Sequence, residues 1–345
     1  MAKLTQEIID NIVSKAAQRK NIHGAVFNIE SVDKNLRLIS SAGNLTAESN
    51  YYLASINKLI ISFITHRLCQ NKQLNLSDKV SKFIPKEELN GILIYKSIDY
   101  SDELTITHLL SHTSGFTCYL IDKREDGKKN MDILLNGEDQ AWPFEKVISE
   151  MKKRTLKFKP GQQGKANYAE TNYRILDRIL EIVTQKSIHN LLTSTFEELG
   201  MKNTFVLNSE NEKACTSPFY KENTLKLVNY WNSSKHDIAS TANDQMIFIR
   251  AFFEGNYLTK DTLSKIEKWN SVFFPFKYGI GIQQFSIPRF FSPLKAIPIM
   301  IGHCGSISSV AFYIPKKQVF VTGTLNQASN PTVVFQTLIK IINKI

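Results

Sequence analysis

The sequence predicts an α/β protein. A body of sheet and helix is built from residues 1–50 and 272–345, and a mainly helical region fills 51–271. Three observations carry this. β-prone runs gather at the two ends of the chain, the periodicity between them is helical, and no linker or internal repeat divides them. Strand segments from both ends have to meet in one sheet, so the 345 residues form one unit and not two sequential domains.

Taken in order, residues 4–20 place apolar side chains at helical spacing. Gly24 to Ile29 and Leu36 to Ser40 are β-prone runs about a polar turn at Ser31–Asn35, the pattern of a hairpin. Tyr51 to Gln70 (YYLASINKLIISFITHRLCQ) passes from small and polar residues into Leu59, Ile60, Ile61, Phe63 and Ile64, as a buried helix does at its start. Leu104 to Phe116 (LTITHLLSHTSGF) reads as a cap at Thr105 or Thr107, a brief helix and a stop at Gly115. A helix at Pro143–Arg154 follows a charged, loop-rich stretch, and Pro160-Gly161 marks a turn. Asn172 to Gln185 has one apolar side. Ile188 to Leu199 is a helix ended by Gly200, and Asp237 to Glu254 holds another, capped near Ser240 or Asn243. From Lys277 the character changes: YGIGIQQF, SISSVAFYIP and QVFVTGTLN are β-like runs, and Pro331 to Ile345 is an amphipathic helix.

Composition excludes several classes. Hydrophobic content of 42% and charged content of 22% suit a globular chain, and no apolar run approaches the ~18 residues of a membrane span. The first twenty residues lack a continuous apolar segment, so the sequence as given reads as cytoplasmic, or as exported if a signal precedes it. Cys69, Cys118, Cys215 and Cys304 are scattered, which yields neither a zinc site nor a disulfide framework. The formal charge is +11, and Met151 to Lys165 holds six basic residues and no acidic one. With no nucleic-acid motif the stretch reads as a solvated basic face. The alternative is an anionic polymer or surface bound through Lys152–Lys165. His108 and His112 stand at metal-ligand spacing but lack a third ligand, and they read as structural.

The chemistry centres on Ser55 and Lys58. Three apart, they share one face of a helix, with Ser55 near its positive end. A serine hydroxyl needs a neighbouring base, and an amine in apolar surroundings has its pKa lowered enough to serve. Alone, Ser-x-x-Lys is a weak signal, equally an N-cap serine beside a surface lysine.

Three further motifs fall in register: LLSHTSG about fifty residues on, Tyr168-Ala169-Glu170 after Pro160-Gly161, and His303-Cys304-Gly305-Ser306 entering a β run. Together they resemble the serine β-lactamase and penicillin-binding-protein superfamily, in its branch of class C β-lactamases, D-alanyl-D-alanine carboxypeptidases and β-lactamase-like esterases. The resemblance covers residue 20 to the end. It implies a β-lactamase/transpeptidase-like fold, an antiparallel sheet flanked by helices with a mainly helical insertion. It implies Ser55 as the acylated nucleophile, Lys58 as its proton acceptor or electrostatic partner, and Tyr168 as a proton shuttle. His303-Cys304-Gly305 matches the Lys/His-Thr/Ser-Gly strand, and the Ser55 and Ser306 amides would form the oxyanion hole. Cys304 reads as inert. No Gly-x-Ser-x-Gly elbow is present, against an α/β-hydrolase.

Glu170 departs from the pattern, where the family has asparagine. A carboxylate there can pair with Lys58, hold it protonated and shift proton transfer to Tyr168. It also repels anionic substrates, which lowers the expectation of true β-lactamase activity. The reading that follows is a serine hydrolase on ester or amide bonds, without metal or cofactor: an esterase, a D-amino-acid peptidase or amidase, or a weak β-lactamase. Acyl transfer on the same fold, or an inactive penicillin-binding-like binding protein, are the alternatives. The substrate is a small-molecule or peptide acyl compound.

Overall fold

A computed structural model describes residues 4–291 and 296–345. Eight strands form one antiparallel sheet: β1 Gly24–Ser31, β2 Arg37–Gly43, β3 Asn270–Phe273, β4 Phe276–Tyr278, β5 Gln283–Phe285, β6 Met300–Cys304, β7 Ser309–Ile314 and β8 Val319–Thr324. Their spatial order is β3-β4-β5-β6-β7-β8-β1-β2. The ends of the chain meet at the β1–β8 pair, where Val26 faces Thr324 and Ser31 faces Val319. β8 is buried along its whole length and β1 along its first six residues, so both read as continuous rather than alternating runs.

The main helices are α1 Gln6–Ala17, α2 Asn57–Gln70, α3 Ile106–Leu110, α4 Phe144–Met151, α5 Glu170–Thr184, α6 Ile188–Leu199, α7 Ala242–Phe253 and α8 Thr332–Ile342. α1 begins at Thr5, whose hydroxyl accepts from the Ile8 amide, and α6 ends on Gly200 at φ +74°, as a helix C-terminus favours. α1 and α8 cover one face of the sheet through Ile9, Val13, Val334 and Leu338, against Phe27, Phe312 and Val321. α7 covers the other face, and beyond it α2, α5 and α6 form the larger core with Leu59, Ile61, Leu176 and Phe196.

The helical and strand segments lie where the pattern places them, with three corrections. YGIGIQQF is not one strand: Gly281 takes φ +83°, and a Cβ there would lie 1.6 Å from Ser62 Oγ, so β4 and β5 are separated by a tight turn against α2. Asp237 to Glu254 is not all helix. Ile238–Ser240 pairs with Tyr51 and Tyr52 as a short strand, and Thr241 caps α7 instead of Ser240 or Asn243. The brief helix α3 ends at Leu110, before His112 turns left-handed at φ +57°, so Gly115 is not its stop. Among the described residues no helix is long and apolar enough to cross a membrane.

Candidate active site

Ser55 enters α2 through a clamped turn. The Leu53 amide donates to the Ile238 carbonyl at 2.8 Å. Ala54 then takes φ +48°, a left-handed conformation that a residue with a Cβ holds only under constraint. The constraint comes from the β6–β7 turn. Ser309 Oγ donates to the Leu53 carbonyl at 2.7 Å. Gly305 packs so closely that a Cβ there would meet that carbonyl at 2.3 Å and Ala54 Cβ at 3.1 Å. Only glycine fits. Ser55 thus sits in a 3₁₀ turn, Ala54–Ile56, ahead of α2 and on the wall of a pocket that Ser306 also lines.

One turn further, Lys58 is 1% exposed, with Nζ 3.3 Å from Ser55 Oγ. It also lies 2.5 Å from Glu170 Oε2. Burial alone would push the Lys58 pKa down, but the Glu170 carboxylate beside it wins, and the ammonium is held well above its ordinary range. Glu170 answers in kind: desolvation pulls it up, Lys58 pulls it further down, and its pKa ends below the usual carboxylate value. Glu170 is the first residue of α5, where a carboxylate also faces the positive helix end. The Tyr168 ring lies 5.6 Å from Lys58 Nζ, and its phenol sits beside Ser55. Burial raises the phenol's pKa more than Lys58 lowers it, so Tyr168 keeps its proton. Ser55, Lys58, Tyr168 and Glu170 therefore meet in one cluster.

His303 borders the cluster as a neutral ring. Its Nδ1 lies 2.8 Å from the Cys304 carbonyl, which only accepts, so Nδ1 carries the proton. Nε2 then accepts from the Tyr278 hydroxyl at 3.0 Å. Burial, with Lys58 nearby, pushes its pKa down to about 3, so no cation stands at this strand position. The Cys304 thiol is pushed up to about 12 by burial, donates to Gln283 Oε1 at 3.1 Å and packs against the core under α1 and α8.

Several residues in the cluster have no motif to announce them. His112 is buried, stacks at 4.5 Å from the Tyr168 ring, and accepts from the Ala169 amide and Asn172 Nδ2 at 3.2 and 2.9 Å. It is structural, but its task is holding Tyr168. His108 accepts from the Thr105 amide in a capping box. Behind Glu170 runs a buried chain: His236 Nε2 at 3.7 Å from Glu170 Oε1, and His236 Nδ1 at 2.5 Å from Asp177 Oδ2. Asp237 accepts from the Tyr52 and Ser234 hydroxyls, and burial raises its pKa.

The pocket before Ser55 is walled by Leu120, Met131, Leu134, Leu225 and Leu227, and among the described residues Lys58 is the only basic one lining it. The basic stretch 152–165 is partly paired: Lys153 and Arg154 with Glu150, Lys157 with Asp122. Among the described residues no group of three or more His, Cys, Asp or Glu could hold a metal ion.

This architecture has close counterparts. The chain superimposes on a D-amino acid amidase from Ochrobactrum anthropi SV3 with a TM-score of 0.79 at 16% identity, over 98% of this chain and 97% of that one. EstCE1, described as a hydrolase with promiscuous acyltransferase activity, superimposes with a TM-score of 0.77 at 15% identity, over 98% and 97%. In sequence the chain is 26% identical over 248 residues to protein flp of Staphylococcus aureus strain MW2, over 68% of this chain and 40% of flp. It spans about two-fifths of the length of that curated relative. A β-lactamase family profile matches residues 9–340 and so takes in every strand of the sheet; the chain belongs to the β-lactamase family.

Proposed function

We propose that the chain is a serine hydrolase, cleaving ester or amide bonds of neutral, apolar acyl substrates through an acyl-Ser55 intermediate. One observation carries this reading. Ser55 Oγ lies 3.3 Å from Lys58 Nζ on the wall of an apolar pocket, with the Tyr168 phenol beside the pair.

In the resting ion pair Lys58 has no lone pair to offer, and Tyr168 keeps its own proton. The route that opens attack runs through Glu170. One Lys58 proton crosses the 2.5 Å contact to Oε2, and the amine left behind takes the Ser55 proton as Oγ bonds to the carbonyl carbon. Negative charge leaves Glu170 and appears on the carbonyl oxygen, where the Ser55 and Ser306 amides hold it. The departing group takes the Tyr168 proton, Lys58 reprotonates Tyr168, and Glu170 returns its proton to Lys58. Water repeats the sequence and releases the acid. Glu170 acts as a proton reservoir in place of an amide.

The pocket supports a neutral acyl group. Its walls are leucine and methionine, its one cation is already paired, and Glu170 and Asp237 repel carboxylates. One structural counterpart is an amidase and the other a hydrolase with acyltransferase activity, which supports acyl chemistry on esters or amides.

Intact-mass measurement after incubation with a fluorophosphonate tests this. The expected result is one adduct, mapped to Ser55 and absent from Ser55→Ala, with ester turnover falling at least ~10³-fold in that variant. If Ser55 never labels, the hydrolase reading fails. A binding-protein reading then replaces it, and the locked Lys58–Glu170 pair is the observation that favours it.

A further inference from the structure

Away from Ser55, one edge of the sheet carries two features that the catalytic cluster does not explain. The first is apolar. Phe273, Phe274, Phe290 and Phe291, at the β3–β4 turn and beyond β5, are 50, 65, 86 and 64% exposed. Three of them form one cluster, with Phe274 and Phe291 5.2 Å apart and Phe290 and Phe291 5.5 Å, while Phe273, next in the chain, packs on Phe276 at 5.2 Å and reaches the Tyr168 ring at 6.2 Å. Large apolar side chains gathered on a surface mark a contact face.

The second feature is charge. Residues 268–345 contain eight lysines and arginines and no aspartate or glutamate. Four of them, Lys277, Lys316, Lys317 and Lys344, line an open groove walled by Trp269 and Ile299. Elsewhere Lys86, Lys157 and Lys265 sit against carboxylates; these four have no ion pair among the described residues. Among the described residues Glu267 is the one acidic side chain in the groove.

We propose that this edge docks the protein on an anionic lipid surface. Phenyl rings enter the boundary between headgroups and acyl chains, while lysines and Arg289 meet the lipid phosphates. Charge complementarity selects this occupant. A second copy would bring the same unpaired cations face to face across a two-fold contact. Nucleic acid would satisfy the cations, but the rings pack edge to face, with Phe290 and Phe291 at 85°, and offer no flat platform for bases. Docked this way, Phe273 and the Tyr168 ring behind it face the lipid.

Vesicle flotation tests the proposal, using phosphatidylcholine vesicles with and without roughly one third phosphatidylglycerol. Wild type should partition at least ~10-fold more to the anionic vesicles. The triple variant Phe274→Ser/Phe290→Ser/Phe291→Ser should lose at least ~10-fold of that binding, with its melting temperature unchanged. Lys316→Gln/Lys317→Gln should weaken it ~5–10-fold and flatten its salt dependence. No preference for anionic vesicles, or full binding by the phenylalanine variant, overturns the proposal. So does retention on heparin or DNA without vesicle binding, or a wild-type dimer that the phenylalanine substitutions dissociate.

Discussion

The floor of the pocket and the open edge of the sheet invert the ordinary distribution of side chains in opposite senses. Around Ser55, charge is inside: Lys58, Glu170, His236 and Asp177 are all buried. At the edge, apolar surface is outside, on Phe273, Phe274, Phe290 and Phe291. The interior departure persists because each group has a partner, Lys58 with Glu170, His236 with Asp177, Asp237 with Tyr52 and Ser234. The exterior one needs none, since an exposed phenyl leaves folding stability nearly untouched. Partnering, more than burial, separates a structural pair from a surface held for another molecule.

The sharpest way to break this contrast is to strand one partner. Lys58→Met leaves the Glu170 carboxylate buried without its hydrogen-bonded cation, and should cost about 3–5 kcal/mol of stability by urea titration. Lys58→Met/Glu170→Met should recover most of that. A double variant as unstable as the single would show that the two residues are not coupled.

Gly305→Ala attacks the clamp instead of the charge. Its Cβ would overlap the Leu53 carbonyl at 2.3 Å, a backbone atom that cannot swing away. Stability should fall by about 1–3 kcal/mol. Fluorophosphonate labelling of Ser55 should slow ~100-fold, because a displacement near 1 Å at a reacting atom has that effect. An unchanged labelling rate would mean the turn tolerates the shift and Ser55 is not held by it.

A milder perturbation uses pH. Burial lowers His66 to about 4, and burial with Lys58 lowers His303 to about 3, from the usual 6.5. Both stay neutral in the folded chain and protonate near 6.5 once unfolded. The unfolded state therefore binds more protons, and stability falls as pH drops from about 6.5 towards 3–4. The lowered Glu170 adds to the loss below about 4.5. Urea midpoints at descending pH should show this slope, and His66→Gln should flatten it. An identical slope in the variant would exclude His66 as a source.

The smallest effect belongs to the edge. Phe290→Ser should change the unfolding free energy by no more than about 0.5 kcal/mol, read by thermal melting. A larger loss would show that the cluster packs for stability.

Much of the fold could be read from the chain because it rests on local signals. The hairpin at Gly24–Gly43, the helix Ile188–Leu199 with its glycine stop and the amphipathic last helix each declare themselves by periodicity and caps. The break between β4 and β5 was not readable, since it depends on Ser62 of a distant helix occupying the space beside Gly281. The pairing of Glu170 with Lys58 followed from chemistry once both were placed in one motif set. His236, Asp177 and Tyr278 carry no such spacing; they reach the cluster only through tertiary contact. The exposed phenylalanines were invisible for a different reason. A sequence pattern assigns phenylalanine to a core, and only coordinates reveal one left outside.

The pairing of β1 with β8 has a consequence for how this protein is made. Val26 waits for Thr324, so during synthesis the open edge of the β1–β2 hairpin stays bare until the roughly three hundred residues between them have been made. At about 5–20 residues per second that interval lasts tens of seconds. Ser55 emerges early, yet Gly305 and Ser309, which clamp its turn, come with the last strands. A nascent chain thus carries Ser55 on an unclamped turn until the sheet closes.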